Sequence, residues 1–192
     1  MPSRFLYLLL VLSLLGACSQ FATQQPIFGS DKALPEQWQI KGKLGVRSDS
    51  GNGSLSVNWQ QINDNYLIYT QAALGQGAAT LEGDNTRLVI SAVGKAPVTS
   101  FAPNQLVEDT FGWKIPITDL KYWVRGIPNP EQDNTATKAQ YDEAGNLTQL
   151  NQYGWSLSFS RYQKVQDWAL PGRIRATQGN TTLTLIIRDW VI

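Results

Sequence analysis

Two stretches of this chain alternate between apolar and polar residues, and a shorter stretch between them does not. Trp38, Ile40, Leu44 and Val46 share one parity, while Gln39, Lys41, Lys43 and Arg47 take the other. A period of two sends successive side chains to opposite faces, so this segment reads as a strand with one wet face. Leu55, Val57 and Trp59 alternate in the same way with Ser54, Ser56 and Asn58, and Asn63-Asp64-Asn65 supplies a turn before Tyr66 to Thr70. The pattern returns late in the chain. Trp155, Leu157 and Phe159 alternate with three serines. Leu183, Leu185 and Ile187 alternate with Thr182, Thr184 and, less cleanly, Ile186. Many short antiparallel strands fit this pattern.

Between the two halves the period changes. Leu106, Val107 and Phe111 fall on one helical stripe that Pro103 opens and Gly112 closes. Pro116 introduces a second short helix through Ile117, Leu120 and Val124, with Trp123 beside them, before Gly126 and Pro128-Asn129-Pro130 break it. The expected architecture is α+β: a strongly curved antiparallel sheet with the helices laid against one face. Helices that cover only part of a concave face leave an apolar pocket. The chain has seven tryptophans, and Trp38, Trp59, Trp155 and Trp190 sit on strand-like segments. Each has two readings, core packing or cavity lining.

The N-terminus fixes a compartment. Leu15-Gly16-Ala17-Cys18 closes an apolar run behind Arg4 and resembles the signal peptide of a bacterial lipoprotein, whose cysteine becomes the lipidated first residue. The run is too short for the roughly 20 residues of a spanning helix. Residues 1–17 are thus expected to be removed, and residues 18–31, polar with Pro26 and Gly29, to form a tether to a domain over residues 32–192. The resemblance implies a diacylglycerol thioether on Cys18 and a further acyl chain on its amine. Ser19 follows, and by analogy with the sorting rule of enterobacteria it points to the outer membrane.

Composition then removes whole classes of function. Taking Arg4 from the sixteen basic residues leaves fifteen against fifteen acidic ones, so nucleic acid is not an expected partner. With no histidine and one cysteine, the usual zinc sites and histidine-based triads are excluded. No Gly-x-Ser-x-Gly elbow or phosphate-binding loop is present, and no cofactor or metal is expected. Asp142-Glu143 is the most tempting carboxylate pair, but with Ala144-Gly145-Asn146 it reads as a hairpin turn. The expectation is a protein that is not an enzyme.

Gly112-Trp113-Lys114-Ile115-Pro116-Ile117, continuing through Leu120, Trp123, Gly126 and Pro128, resembles the central signature of the LolB family of outer-membrane lipoprotein receptors. Gly42-Lys43-Leu44-Gly45-Val46-Arg47, Gly53 with Trp59-Gln60 and Tyr66, Leu74-Gly75, Leu170-Pro171 and Trp190 fall in the family's order, so the resemblance covers nearly the whole mature chain. It implies a half-barrel with a helical lid over an apolar cavity. It further implies that a monomer receives triacylated lipoproteins from the periplasmic carrier LolA and inserts them among the phospholipids of the outer membrane's inner leaflet.

Candidate cavity residues follow from strand parity: Trp38, Ile40, Leu44, Val57, Trp59, Trp155, Leu157 and Leu185, with Leu106, Phe111, Leu120 and Trp123 on the lid. Leu74 is the one large apolar residue of Ala72-Ala73-Leu74-Gly75-Gln76-Gly77. In the family this loop presents an exposed leucine to the bilayer, so Leu74 with Gly75 is the expected membrane-insertion loop. Many relatives carry proline before that leucine, whereas this chain has Ala73. Lys41, Lys43 and Arg47 share a strand face that would suit an acidic carrier or plain solvent. Two rival readings are a lipid-anchored module for another hydrophobic ligand and a structural envelope lipoprotein.

Overall fold

A computed structural model describes residues 33–49, 51–72, 77–112, 114–131 and 137–192. The first half is a meander. In it β1 (Gln37–Ser48), β2 (Gly51–Ile62), β3 (Asn65–Ala72), β4 (Ala78–Gly83), β5 (Leu88–Ala92) and β6 (Val98–Ser100) each pair antiparallel with the next. Two helices follow, α1 (Pro103–Phe111) and α2 (Ile117–Val124). The second half contributes β7 (Lys138–Tyr141), β8 (Leu147–Gln152) and β9 (Trp155–Ser160). A separate hairpin of β10 (Gln163–Val165) and β11 (Trp168–Leu170) leads to β12 (Arg173–Gln178) and β13 (Thr181–Val191).

The halves join where β13 pairs with β1, giving one eleven-stranded sheet in the order β6-β5-β4-β3-β2-β1-β13-β12-β9-β8-β7. Its outermost strands, β6 and β7, do not pair with each other, so the sheet curves without closing. The helical insert leaves from one edge and returns at the other. That connectivity obliges residues between β6 and β7 to cross the concave face, and there the helices bury Leu106, Val107, Ile117, Trp123 and Val124.

Parity is visible in the burial of each strand. On β1, Trp38, Ile40 and Val46 are buried between exposed Gln37, Lys41, Lys43 and Arg47. Gly42 marks a bulge: its register partner is Ile187 while Lys41 opposes Asp189, leaving Arg188 as the extra residue. A Cβ on Gly42 would stand 2.3 Å from the Ile186 carbonyl oxygen, so no other residue fits there.

The strands were expected to be short, yet β1 and β2 each run 12 residues. Gly51 to Ser54 are exposed but still keep the ladder with β1, so pairing extends past the part that hydrophobic alternation can reveal. The helices match expectation closely. Pro103 opens α1, and Gly112, at φ 74°, donates its N–H to the Glu108 carbonyl at 2.7 Å to close it. Asp142 lies in the β7–β8 turn, where its carboxylate accepts backbone N–H groups from Ala144 and Asn146. Hydrogen bonds from the Asn146 side chain and backbone hold it below the usual carboxylate range, as a turn residue.

Candidate functional site

An apolar cavity of about 110 Å³ lies between the concave face and the helices. Its floor takes one residue parity from each of seven strands: Leu44 on β1, Leu55, Val57 and Trp59 on β2, Ile68 and Thr70 on β3, and Leu81 on β4. Beyond β1 the floor continues through Leu183 and Leu185, Ile174 and Ala176, and Leu157 on β9. The helical roof brings Val107 and Phe111 from α1, Ile115 between the helices, and Ile117, Leu120, Trp123 and Val124 from α2.

Among the described residues, every lining side chain with a polar atom has that atom engaged elsewhere. Thr70 donates its hydroxyl to the Ala79 carbonyl at 3.2 Å. The Trp59 indole N–H goes to Gln61 Oε1 at 2.9 Å, and the Trp123 indole N–H goes to Gln152 Oε1 at 2.9 Å. What remains facing the cavity is hydrocarbon and ring carbon. Such a surface holds a ligand by non-directional contact, with no fixed polar group among the described residues to select or retain it.

Leu44, Leu55, Thr70 and Leu185 are only half-buried, as are Phe111 and Leu120 on the roof. Along β2 the exposure falls from Leu55 to Val57 at 7% and Trp59 at 3%, so the cavity opens toward the end of β2 that meets β1's turn. Leu55 pairs with Ala72, the last residue of β3, which places the β3–β4 connection at this opening. Leu74 and Gly75 lie in that connection, outside the described residues, as does Cys18.

Of the residues anticipated from parity, Leu44, Val57, Trp59, Leu157, Leu185, Phe111, Leu120 and Trp123 line the cavity. Trp38, Ile40, Leu106 and Trp155 do not, although all four are buried. Trp38 is wedged between Trp59 and Trp190, with ring centroids 5.0 and 5.5 Å away, and this cluster closes the floor near the start of β1. Trp155 packs behind Trp123 at 6.4 Å. Parity selects a face but cannot say how far along it the roof touches down. Leu55, Ile68 and Leu183 share the parity of recognised neighbours and were legible by the same rule. Ile174 and Ala176 carried no such signal.

The roof is pegged by polar contacts. Lys121, almost fully buried on α2, binds the Asp64 carboxylate in the β2–β3 turn. Burial is the largest single influence and lowers the lysine's pKa, but the hydrogen bond and charge of Asp64 together with the neighbouring Tyr122 hydroxyl outweigh it and hold Lys121 above its ordinary value. Arg125 donates to the carbonyls of Lys121 at 2.9 Å and Pro35 at 3.1 Å. Buried Asp119 accepts from Asn129 Nδ2, and Gln152 bonds both the N–H and the carbonyl of Asn129. Lys41, Lys43 and Arg47 are exposed on the opposite face of the sheet, away from the cavity.

A curved antiparallel sheet, roofed by helices over a cavity whose polar atoms are all committed, defines a binding protein for an apolar ligand. The sequence model of the family described as "Outer membrane lipoprotein LolB" matches residues 36–190, and the chain belongs to that family. It is 37% identical over 157 residues to the outer-membrane lipoprotein LolB of Cellvibrio japonicus, covering 80% of this chain and 76% of that one. It is 30% identical over 191 residues to that of Pseudomonas fluorescens, covering 94% and 92%. Among solved structures, a putative outer membrane lipoprotein-sorting protein domain from Vibrio parahaemolyticus has the same fold, with a TM-score of 0.50 at 9% identity over 81% of this chain and 84% of that one. The protein is accordingly an outer-membrane lipoprotein.

Proposed function

We propose that this chain accepts triacylated lipoproteins from the periplasmic carrier LolA into its cavity and inserts them into the inner leaflet of the outer membrane. Receiving lipoproteins and anchoring them in that membrane is the function of the family to which it belongs. The observation that carries the finer reading is the cavity itself, apolar throughout and open beside the β3–β4 connection. Burying a methylene contributes about 0.8 kcal/mol, so a chain with roughly 15 of them resists entering water by on the order of 12 kcal/mol. Direct passage between two apolar cavities avoids that intermediate. With no fixed polar group holding the cargo, release into the bilayer meets no hydrogen bond to break.

A cavity of about 110 Å³ is comparable to engineered cavities of roughly 150 Å³ that hold one benzene. An acyl chain therefore enters only if the roof lifts. Residues 1–17 are the signal peptide and residues 18–31 the tether in this reading, with Cys18 acylated, the domain from residue 32 monomeric, and no catalytic residue. Leu74 and Gly75 form the loop that enters the phospholipid surface next to the cavity's opening.

The test is a transfer assay. The full lipidated chain in vesicles is mixed with carrier holding radiolabelled triacylated lipoprotein, and the label is followed from carrier to receptor to bilayer. One-way transfer to the receptor is expected, and a label that stays on the carrier refutes the proposal. Leu74→Glu is expected to leave carrier-to-receptor transfer within about twofold while cutting incorporation into the bilayer at least fivefold, since a carboxylate at position 74 opposes entry into hydrocarbon. Equal loss of both steps refutes a separate insertion role.

A further inference from the structure

We propose that the β5–β6 turn and the edge strand after it form a second contact with the phospholipid surface, beside the β3–β4 connection. The inference extends the membrane delivery proposed above and rests on a different part of the chain. Val93 and Gly94 form the corner of this turn, which closes when the Lys95 N–H donates to the Ala92 carbonyl at 3.1 Å. Gly94 takes φ 75°, and Val93 projects into solvent with 80% of its surface exposed. Ala96, Pro97 and Val98 continue the exposed stretch, with Val98 at 51%. An apolar run of this kind standing in water needs a reason.

Position supplies one. Strands β1 to β6 form an antiparallel meander, so the β1–β2, β3–β4 and β5–β6 turns share one end of the sheet. The Val93 N–H donates to the Ala78 carbonyl at 3.2 Å, which sets this turn against the first residue of β4, where the β3–β4 connection ends. The cavity opens at the same end. Reach is sufficient as well. Ala33 lies at the far end of β1, whose 12 residues span about 40 Å, and the 15 residues from Cys18 to Ala33 extend to at most about 50 Å. The anchor therefore permits the cavity's end of the sheet to face the membrane that holds Cys18.

Chemistry favours lipid over protein at this place. Residues Leu88 to Ser100 carry one charge, that of Lys95, and no carboxylate. Lys95 is exposed and forms no ion pair among the described residues. A lysine flanking a shallow apolar insertion lays its stem along the hydrocarbon and its ammonium among the phosphates. A protein strand adding to this edge would meet only three residues in β6, with Pro97 directly before them, a poor template for pairing.

The experiment uses the full lipidated chain in vesicles of phosphatidylethanolamine and phosphatidylglycerol. Because acylation consumes the single natural thiol, Val93→Cys accepts a polarity-sensitive fluorophore at one place, and Ser56→Cys on the outer face of β2 serves as the reference. A blue shift at position 93, with quenching by headgroup-level spin-labelled lipid at least twice that at position 56, is expected. Quenching equal at the two positions overturns the inference. Val93→Asp is expected to lower cargo incorporation about threefold or more with receipt from the carrier unchanged. Loss of receipt instead overturns it in favour of a protein contact. If the native chain takes no cargo from the carrier, the receptor reading falls, while the quenching result still decides the membrane contact.

Discussion

The two roof helices differ in how they are held. Helix α1 buries Pro103, Leu106 and Val107, and its polar links are exposed: Asn104 to Thr118 at 3.4 Å, and Glu108 to Lys114 at 3.6 Å. Helix α2 buries two charged side chains, Asp119 and Lys121, and each has its partner. If α1 lifts, it gives up mainly apolar contact, which an acyl chain entering as proposed above would replace. If α2 lifts, it strands buried donors and acceptors, at about 1 to 3 kcal/mol for each group left without a partner. The roof thus has a loosely held part and a fixed part, and the fixed part is the one tied to the sheet on both sides of the cavity.

The largest expected effect comes from breaking the peg. Gln152→Leu removes the acceptor for the Trp123 indole and both partners of the Asn129 backbone. Leaving those groups buried is expected to cost about 3 kcal/mol or more, a fall in Tm of roughly 8 °C or more for a domain this size, measured by thermal unfolding. Glu108→Ala on α1 loses a single exposed ion pair and is expected to change stability by less than about 0.5 kcal/mol. Equal effects of the two substitutions would erase the distinction between the helices.

Lys121→Met lies between these. It keeps the packed stem of a side chain that is 9% exposed and removes the bond to Asp64, which is 64% exposed. Solvent screening at the carboxylate end limits the expected loss to about 1 kcal/mol. In the transfer assay the same variant should accept cargo at least as fast as the native chain, because it loosens the fixed helix. Amide exchange reads the native comparison directly: protection in α1 is expected to be lost before protection in α2. The reverse order would show that α1 is not the more loosely held helix.

Both helices were legible in the sequence because proline and glycine punctuate them and the apolar stripe is unambiguous. Strand existence was legible for the same kind of reason, since Leu55, Val57 and Trp59 alternate with small polar residues. Pairing was not. Nothing in the parity of residues 37–48 says that β1 meets β13, a partner more than 130 positions away in the register Gln39 to Val191. The pegs were invisible too. Gln152, Asn129 and Asp119 look like ordinary polar residues until the fold brings them together beneath α2. Trp38 and Ile40 show the limit of parity in the cavity: they face inward, but the Trp38–Trp59–Trp190 cluster fills their end of the floor.

The smallest effect concerns Asp119, and pH separates it from the other pegs. Burial raises its pKa above the ordinary carboxylate value, against the lowering effect of hydrogen bonds from Asn129 and Tyr153. Glu131 nearby raises it further, and Lys121 lowers it. The native state therefore binds this proton more tightly than the unfolded chain does, so Asp119's contribution to stability falls as pH rises from the ordinary value of 3.8 through the raised one. Asp84 and Asp142 work the other way. Hydrogen bonds in their turns lower both, so their contributions are lost as pH falls through the lowered values and grow as pH rises toward 3.8. Asp119→Asn keeps an oxygen to accept from Asn129 and removes the titration. At neutral pH the variant should match or slightly exceed the native chain in stability, and its stability should no longer decline across the mildly acidic range. Thermal unfolding of both proteins from pH 3 to pH 7 measures this, and parallel curves would show that α2's buried carboxylate is not what titrates.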